Sequence, residues 1–201
     1  MLIDTHTHLY SEQFENDIDE VIARAKENGV ERFYLPAIDK SYTDRMLNLE
    51  AQHSDSMFAM MGLHPCSVNP DTINDELAHV KEWLDKREFK AIGEIGIDLY
   101  WEKDHLSTQQ DAFKMQIEWA KERNLPIVIH CRDAFNEVFE VLEEVKDEKL
   151  FGIFHCFSGT KEDAQRAIDF NLKLGIGGVV TFKNGKIDQF LGDFDIKHIV
   201  L

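Results

Sequence analysis

Short runs of β-branched and other apolar residues alternate along the chain with segments whose apolar positions recur at helical spacing. The first run, Leu2-Ile3, precedes a helical pattern of Ile18, Val21, Ile22 and Ala25, which Gly29 closes. A second strand is expected over Arg32 to Ile38, followed by a helix from Ser41 to His53 with Asp44 as its capping-box acid. Met57 to Leu63 reads as the third strand, and Leu77, Val80, Trp83 and Leu84 mark the third helix. Ala91 to Ile97 is the fourth strand, and Ser107 with Gln110 opens a helix carrying Phe113, Ile117 and Ala120 on one face. Ile127 to Cys131 is the fifth, before a helix marked by Val138, Val141, Leu142 and Val145. Gly152 to Cys156 is the sixth, before a helix started by Thr160 and Asp163. Leu172 to Val180 is the seventh, Gly185 to Leu191 a short helix, and Lys197 to Leu201 an eighth strand.

Seven βα units and an opening eighth strand predict a (β/α)8 TIM barrel, incomplete at its C-terminus, with the eighth strand cut short and the last helix absent. A doubly wound sheet is the alternative, but it gathers ligands near one switch point. Here polar residues end the first, third, fourth, fifth and sixth runs: His6 and His8, His64, Glu94, His130 and His155. In a barrel such strand ends converge on one mouth.

Composition narrows the field. Residues 1–201, 43% hydrophobic, suffice for the core of a single domain. A net charge of −16 argues against a chain that coats nucleic acid or acidic lipid with a broad basic surface, although bound cations can supply positive charge locally. Three cysteines without framework spacing fit a reducing cytoplasm. No leader pattern and no apolar run of ~18 residues is present, so no membrane contact is expected.

Strand alternation sorts the polar residues. Asp4, His6 and His8 share one face, and the phases of Glu94, His130 and His155 turn them inward. Their neighbours Cys131 and Cys156 then point outward, which argues against structural zinc and for packing. Four histidines and a carboxylate exceed the needs of one catalytic zinc, so two divalent ions bridged by Glu94 are expected, with Zn, Mn, Mg or Fe as candidates. Asp4 is a candidate to orient an imidazole. His53, His79 and His105 are read as solvated, and His198 as a poor ligand. His64 is expected to contact substrate, with a structural role as the alternative. Arg132 can hold phosphate or pair with Asp133, and Tyr100 and Trp101 can stack on a base or serve as packing.

In order along the chain stand Asp4-Thr5-His6-Thr7-His8, Gly62-Leu63-His64-Pro65, Gly93-Glu94-Ile95-Gly96-Ile97-Asp98, His130-Cys131-Arg132-Asp133, His155-Cys156-Phe157-Ser158-Gly159 and Gly175-Ile176-Gly177-Gly178. Together they resemble the TatD family of metal-dependent deoxyribonucleases from end to end. The resemblance implies an amidohydrolase-type TIM barrel with a dinuclear metal centre. It also implies hydrolysis of DNA phosphodiesters by metal-activated water, often as a 3′-to-5′ exonuclease. Carried over by position, His6, His8, Glu94, His130 and His155 would be metal ligands, and His64 would lie near the substrate phosphate. The family's acidic motif, whose aspartate ligates metal and can act as base, would fall just after Leu201. No catalytic base is therefore identified within the chain, the barrel is expected to be unclosed there, and residues 1–201 alone are expected to be poorly active.

Three functions follow from this reading. The first is a deoxyribonuclease acting on DNA ends or single strands, monomeric in solution. The second is an amidohydrolase-type hydrolase of an amide or ester, such as an aminoacyl ester, on the same site. The third is a non-enzymatic metal-dependent binding protein.

Overall fold

In the computed structural model, which describes residues 1–182 and 185–201, the eight expected strands form in sequence order and all pair in parallel. β1 (Leu2–Asp4), β2 (Val30–Leu35) and β3 (Met57–Ala59) make one sheet. A second sheet runs through β4 (Ile92–Asp98), β5 (Ile127–Arg132), β6 (Gly152–Phe154), β7 (Leu172–Gly175) and β8 (Ile199–Val200). A parallel bridge between Met61 and Ile92 joins the two sheets. The gap expected between last and first strands is spanned at one point, where the Thr5 N–H donates to the Leu201 carbonyl at 2.7 Å.

Six helices separate the strands: α1 (Ile18–Glu27), α2 (Thr43–Gln52), α3 (Ile73–Lys86), α4 (Leu106–Arg123), α5 (Phe135–Val145) and α6 (Lys161–Asp169). Each turns an apolar face onto the strands, and Ile22, Met46, Val80, Phe113, Phe139 and Ala164 are all buried in one continuous core. This is the TIM barrel architecture, and it presents the C-terminal ends of the strands as a common rim. No helix is long and apolar enough to cross a membrane among the described residues.

The strand limits differ from the sequence reading where backbone chemistry intervenes. β2 stops at Leu35 because Pro36 has no N–H to continue the ladder. β3 is reduced to Met57–Ala59, and β6 ends at Phe154 because Cys156 turns into the left-handed region at φ 42°. β7 ends at Gly175 rather than Val180: the Ile176 N–H makes a last ladder bond to the Val200 carbonyl, and Gly178–Thr181 coil into a 3-10 turn. The expected helix at Gly185 to Leu191 consists of two 3-10 turns, Ile187–Gln189 and Leu191–Asp193, and a third at Ile196–His198 shortens β8.

Two expected caps are also absent. Ser41 bonds Asp39 instead of opening α2, and α4 begins after His105 with no side-chain cap. Thr160 and Asp163 do form the capping box of α6.

Candidate metal centre

At the rim, Glu94 leaves β4 at an irregularity in its pairing with β5, between Gly93 and Ile95. Its carboxylate is 2% exposed and sits among imidazoles from four other segments. One oxygen, Oε2, is 3.0 Å from His6 Nε2 and 3.3 Å from His8 Nε2. The other, Oε1, is 2.8 Å from His130 Nδ1 and 3.7 Å from His64 Nε2. His155 stacks on His6 with ring centroids 3.2 Å apart. All five expected ligands therefore meet, although His6 and His8 lie beyond the end of β1 rather than on it.

Two groups of three can each offer ligand atoms within 4.8 Å of one another: His6, Glu94 and His155, and His64, Glu94 and His130. Neither group contains a cysteine, as expected. Cys131 and Cys156 do not both turn away from the mouth, however; they line a cavity of about 370 Å³ with His130, Arg132 and His155. The turn at Cys156 breaks the alternation on which the outward assignment rested.

Hydrogen bonds behind the rings decide which nitrogens are free. The Tyr10 hydroxyl donates to the Pro36 carbonyl, so it accepts from His8 Nδ1–H at 2.7 Å, and the neutral ring keeps a lone pair on Nε2, facing Glu94. Asp98 Oδ2 accepts from His130 Nε2–H at 2.8 Å, so Nδ1, 2.8 Å from Glu94, is the nitrogen a cation would take in place of a proton. His64 is the reverse. Its Nδ1 accepts the Cys66 N–H at 3.1 Å, so in the neutral ring the proton is on Nε2, which points inward. That Nε2 lies 3.2 Å from His130 Nδ1, and a protonated nitrogen cannot ligate a cation, so in this arrangement His64 is the weakest member of the second group.

The electrostatics match a site built for cations. Burial alone would raise the Glu94 carboxyl, but His6 and His130 outweigh it and hold the group well below the usual carboxylate range. Burial, then the charge of His6, takes His155 down to about 3. Burial likewise takes His64 down to about 4 against the pull of Glu94, so both rings are neutral near pH 7. His6 Nδ1 is buried without a hydrogen-bond partner among the described residues. A buried polar atom of this kind is costly unless something else satisfies it. Imidazole nitrogens, one of them orphaned, around a shared carboxylate fit divalent zinc, manganese or iron.

Sequence reasoning missed Tyr10 and Asp98. Asp98 is solvent-inaccessible, and its Oδ1 accepts the N–H groups of Tyr100 and Trp101 at 2.9 and 2.8 Å. Asp4 bonds the His6 backbone N–H at 3.1 Å, not an imidazole. Arg132 forms no pair with Asp133 among the described residues; its guanidinium lies 3.9 Å over the Tyr100 ring. His79 is not simply solvated, because its Nε2 pairs with the Thr43 hydroxyl at 2.9 Å.

The model of one family, TatD related DNase, matches residues 3–201. An uncharacterized metal-dependent hydrolase of Bacillus subtilis, YabD, is 41% identical over 92% of the chain and 72% of its own length. A 3′-5′ ssDNA/RNA exonuclease, TatD of Pantoea ananatis, is 30% identical over 89% of the chain and 68% of its own length. The crystal structure of YjjV, a TatD homologue from Escherichia coli, superposes with a TM-score of 0.90 at 27% identity, covering 100% of this chain and 77% of that one.

Proposed function

Since the chain belongs to the TatD related DNase family and is a metal-dependent hydrolase by that membership, we propose that it cleaves phosphodiester bonds at the ends of DNA strands. The observation that carries this reading is the two-sided contact of Glu94, with one oxygen toward His6 and His8 and the other toward His130. A carboxylate so placed would bridge two cations, with His6, His8 and His155 available on one side and His130 on the other. Bound divalent cations supply positive charge for a phosphate and lower the pKa of water at the site.

The protein's own groups do the rest. Asp98 and Tyr10 fix the tautomers of His130 and His8. His64 presents an N–H to a phosphoryl oxygen, where it can stabilise developing negative charge. Arg132 lines the same cavity as His130 and His155 and offers a guanidinium to phosphate. The acidic surface confines attraction for a polyanion to this mouth, which favours strand ends over long duplex contacts.

The competing reading is an amide or ester substrate on the same ligands. Assaying DNA oligomers beside a panel of amides and esters, with Mn²⁺, Mg²⁺ or Zn²⁺ added, separates the two. Turnover of DNA that falls by orders of magnitude in His130→Ala, together with loss of bound metal, is the expected result. Turnover confined to the amide or ester panel would overturn the nuclease reading.

A further inference from the structure

Two large aromatic side chains stand in solvent beside the candidate centre: Trp101 is 67% exposed and Tyr100 is 47% exposed. Exposed aromatic rings cost hydrophobic free energy and are ordinarily tucked in. Here the turn that carries them is held rigidly outward. Asp98 Oδ1 accepts both of their backbone N–H groups. Behind it, the buried Gln109 amide accepts the Asp98 N–H at 2.8 Å and donates to the carbonyls of Asp98 and Glu102. The Leu99 N–H is fixed to the Arg132 carbonyl at 2.9 Å.

The two rings meet edge to face at 4.7 Å, and the Arg132 guanidinium lies 3.9 Å over Tyr100 and 5.5 Å from the Trp101 ring centroid. Packing with Arg132 therefore braces Tyr100, while most of Trp101 stays open to solvent. The platform is coupled to the centre through one carboxylate, because the other oxygen of Asp98 holds His130.

We propose that Tyr100, Trp101 and Arg132 form a nucleotide subsite in which the base at the end of a single-stranded nucleic acid stacks on Trp101 and the adjoining phosphate meets Arg132. A base has two flat faces and no net charge, so a strongly acidic protein can bind it by stacking where it cannot attract a long phosphate backbone. An end or single strand is required because bases within a duplex are already stacked on their neighbours. This inference rests on the nucleic-acid reading of the site but concerns binding rather than cleavage.

The test is anisotropy titration of short, nuclease-resistant phosphorothioate strands, as DNA and as RNA, each beside a strand of the same length whose terminal positions are abasic. The wild-type protein should prefer the base-bearing strand by about tenfold, as one stacked base gives. Trp101→Ala should abolish most of that preference, and Trp101→Phe should retain a good part of it. An unchanged melting temperature of Trp101→Ala, whose side chain is mostly in solvent, shows that the fold is intact. A Trp101→Ala protein with undiminished preference would overturn the subsite even if DNA is cleaved. A Trp101-dependent preference in a protein that cleaves no strand would support the subsite and sink the nuclease reading instead. Preference for RNA or for DNA in the paired arms identifies which strand the subsite takes.

Discussion

Replacing Asp98 with asparagine should uncouple the metal centre while leaving the surrounding turn in place. The two side chains have nearly the same shape, but the amide has one acceptor where the carboxylate has two. In the native protein Oδ1 accepts two backbone N–H groups and Oδ2 accepts one imidazole N–H. Turning the amide nitrogen toward the backbone would oppose two donors, whereas turning it toward His130 opposes one. The oxygen therefore stays with Tyr100 and Trp101, and the amide N–H₂ faces His130 Nε2. His130 answers by moving its proton to Nδ1, the nitrogen that faces Glu94 at 2.8 Å. A protonated Nδ1 has no lone pair for a cation, so ligation requires the unfavoured arrangement. Removing a partner that orients a ligating histidine typically lowers metal affinity by about 10- to 100-fold, or about 1.4–2.8 kcal/mol. Chelator competition with Zn²⁺ or Mn²⁺ measures this directly, and hydrolytic turnover at subsaturating metal should fall in parallel. Asp98→Ala, which also releases the two backbone N–H groups, should lower the melting temperature as well. Wild-type metal affinity in a folded Asp98→Asn protein would refute the tautomer reasoning.

Two further perturbations probe the frame and its charges. Gly96 has φ 142°, and a Cβ there would meet the His130 carbonyl oxygen at 2.0 Å, so Gly96→Ala must break the β4–β5 pairing or bend it. A loss of about 3 kcal/mol is expected, which thermal melting would show as a drop of roughly 6–12 °C; an unchanged melting temperature contradicts the close approach. The metal-free protein should be most stable near neutral pH. His64 and His155, held by burial at about 4 and about 3 in the folded state against 6.5 unfolded, contribute stability above the unfolded value that is lost as pH falls. Burial lowers His130 too, but Asp98 and Glu94 outweigh it and raise the group to about 9, so its contribution is present at low pH and lost as pH rises through that value. Melting in the presence of a chelator across this range checks the signs, and a melting temperature that climbs steadily from about pH 5 to about pH 9 would show them to be wrong.

What the sequence made legible, and what it hid, divides by the kind of periodicity involved. Eight parallel strands were readable because buried strands are apolar runs, and the candidate ligands were readable because each run ends in a residue that a core does not need. His130 and His155 illustrate this: the first follows the apolar Ile127–Ile129 within β5, and the second lies one residue past β6. Alternation failed where the backbone leaves the strand, as at Cys156, which lines the cavity it was expected to avoid. For the residues that orient the candidate ligands it pointed to Asp4, which bonds a backbone N–H instead, and it was silent on Tyr10 and Asp98, because orientation is set by contacts across loops. Tyr10 is two residues from His8, yet its role depends on the carbonyl of Pro36, which fixes where its only proton goes. Asp98 stands within a quoted motif, but its function needs two partners on opposite oxygens, one of them a histidine 32 positions away on β5. Position in the chain can therefore nominate a nitrogen as a ligand. Whether that nitrogen carries its proton or its lone pair toward the centre is decided by a second atom behind the ring, and that atom becomes visible only when the chain has folded.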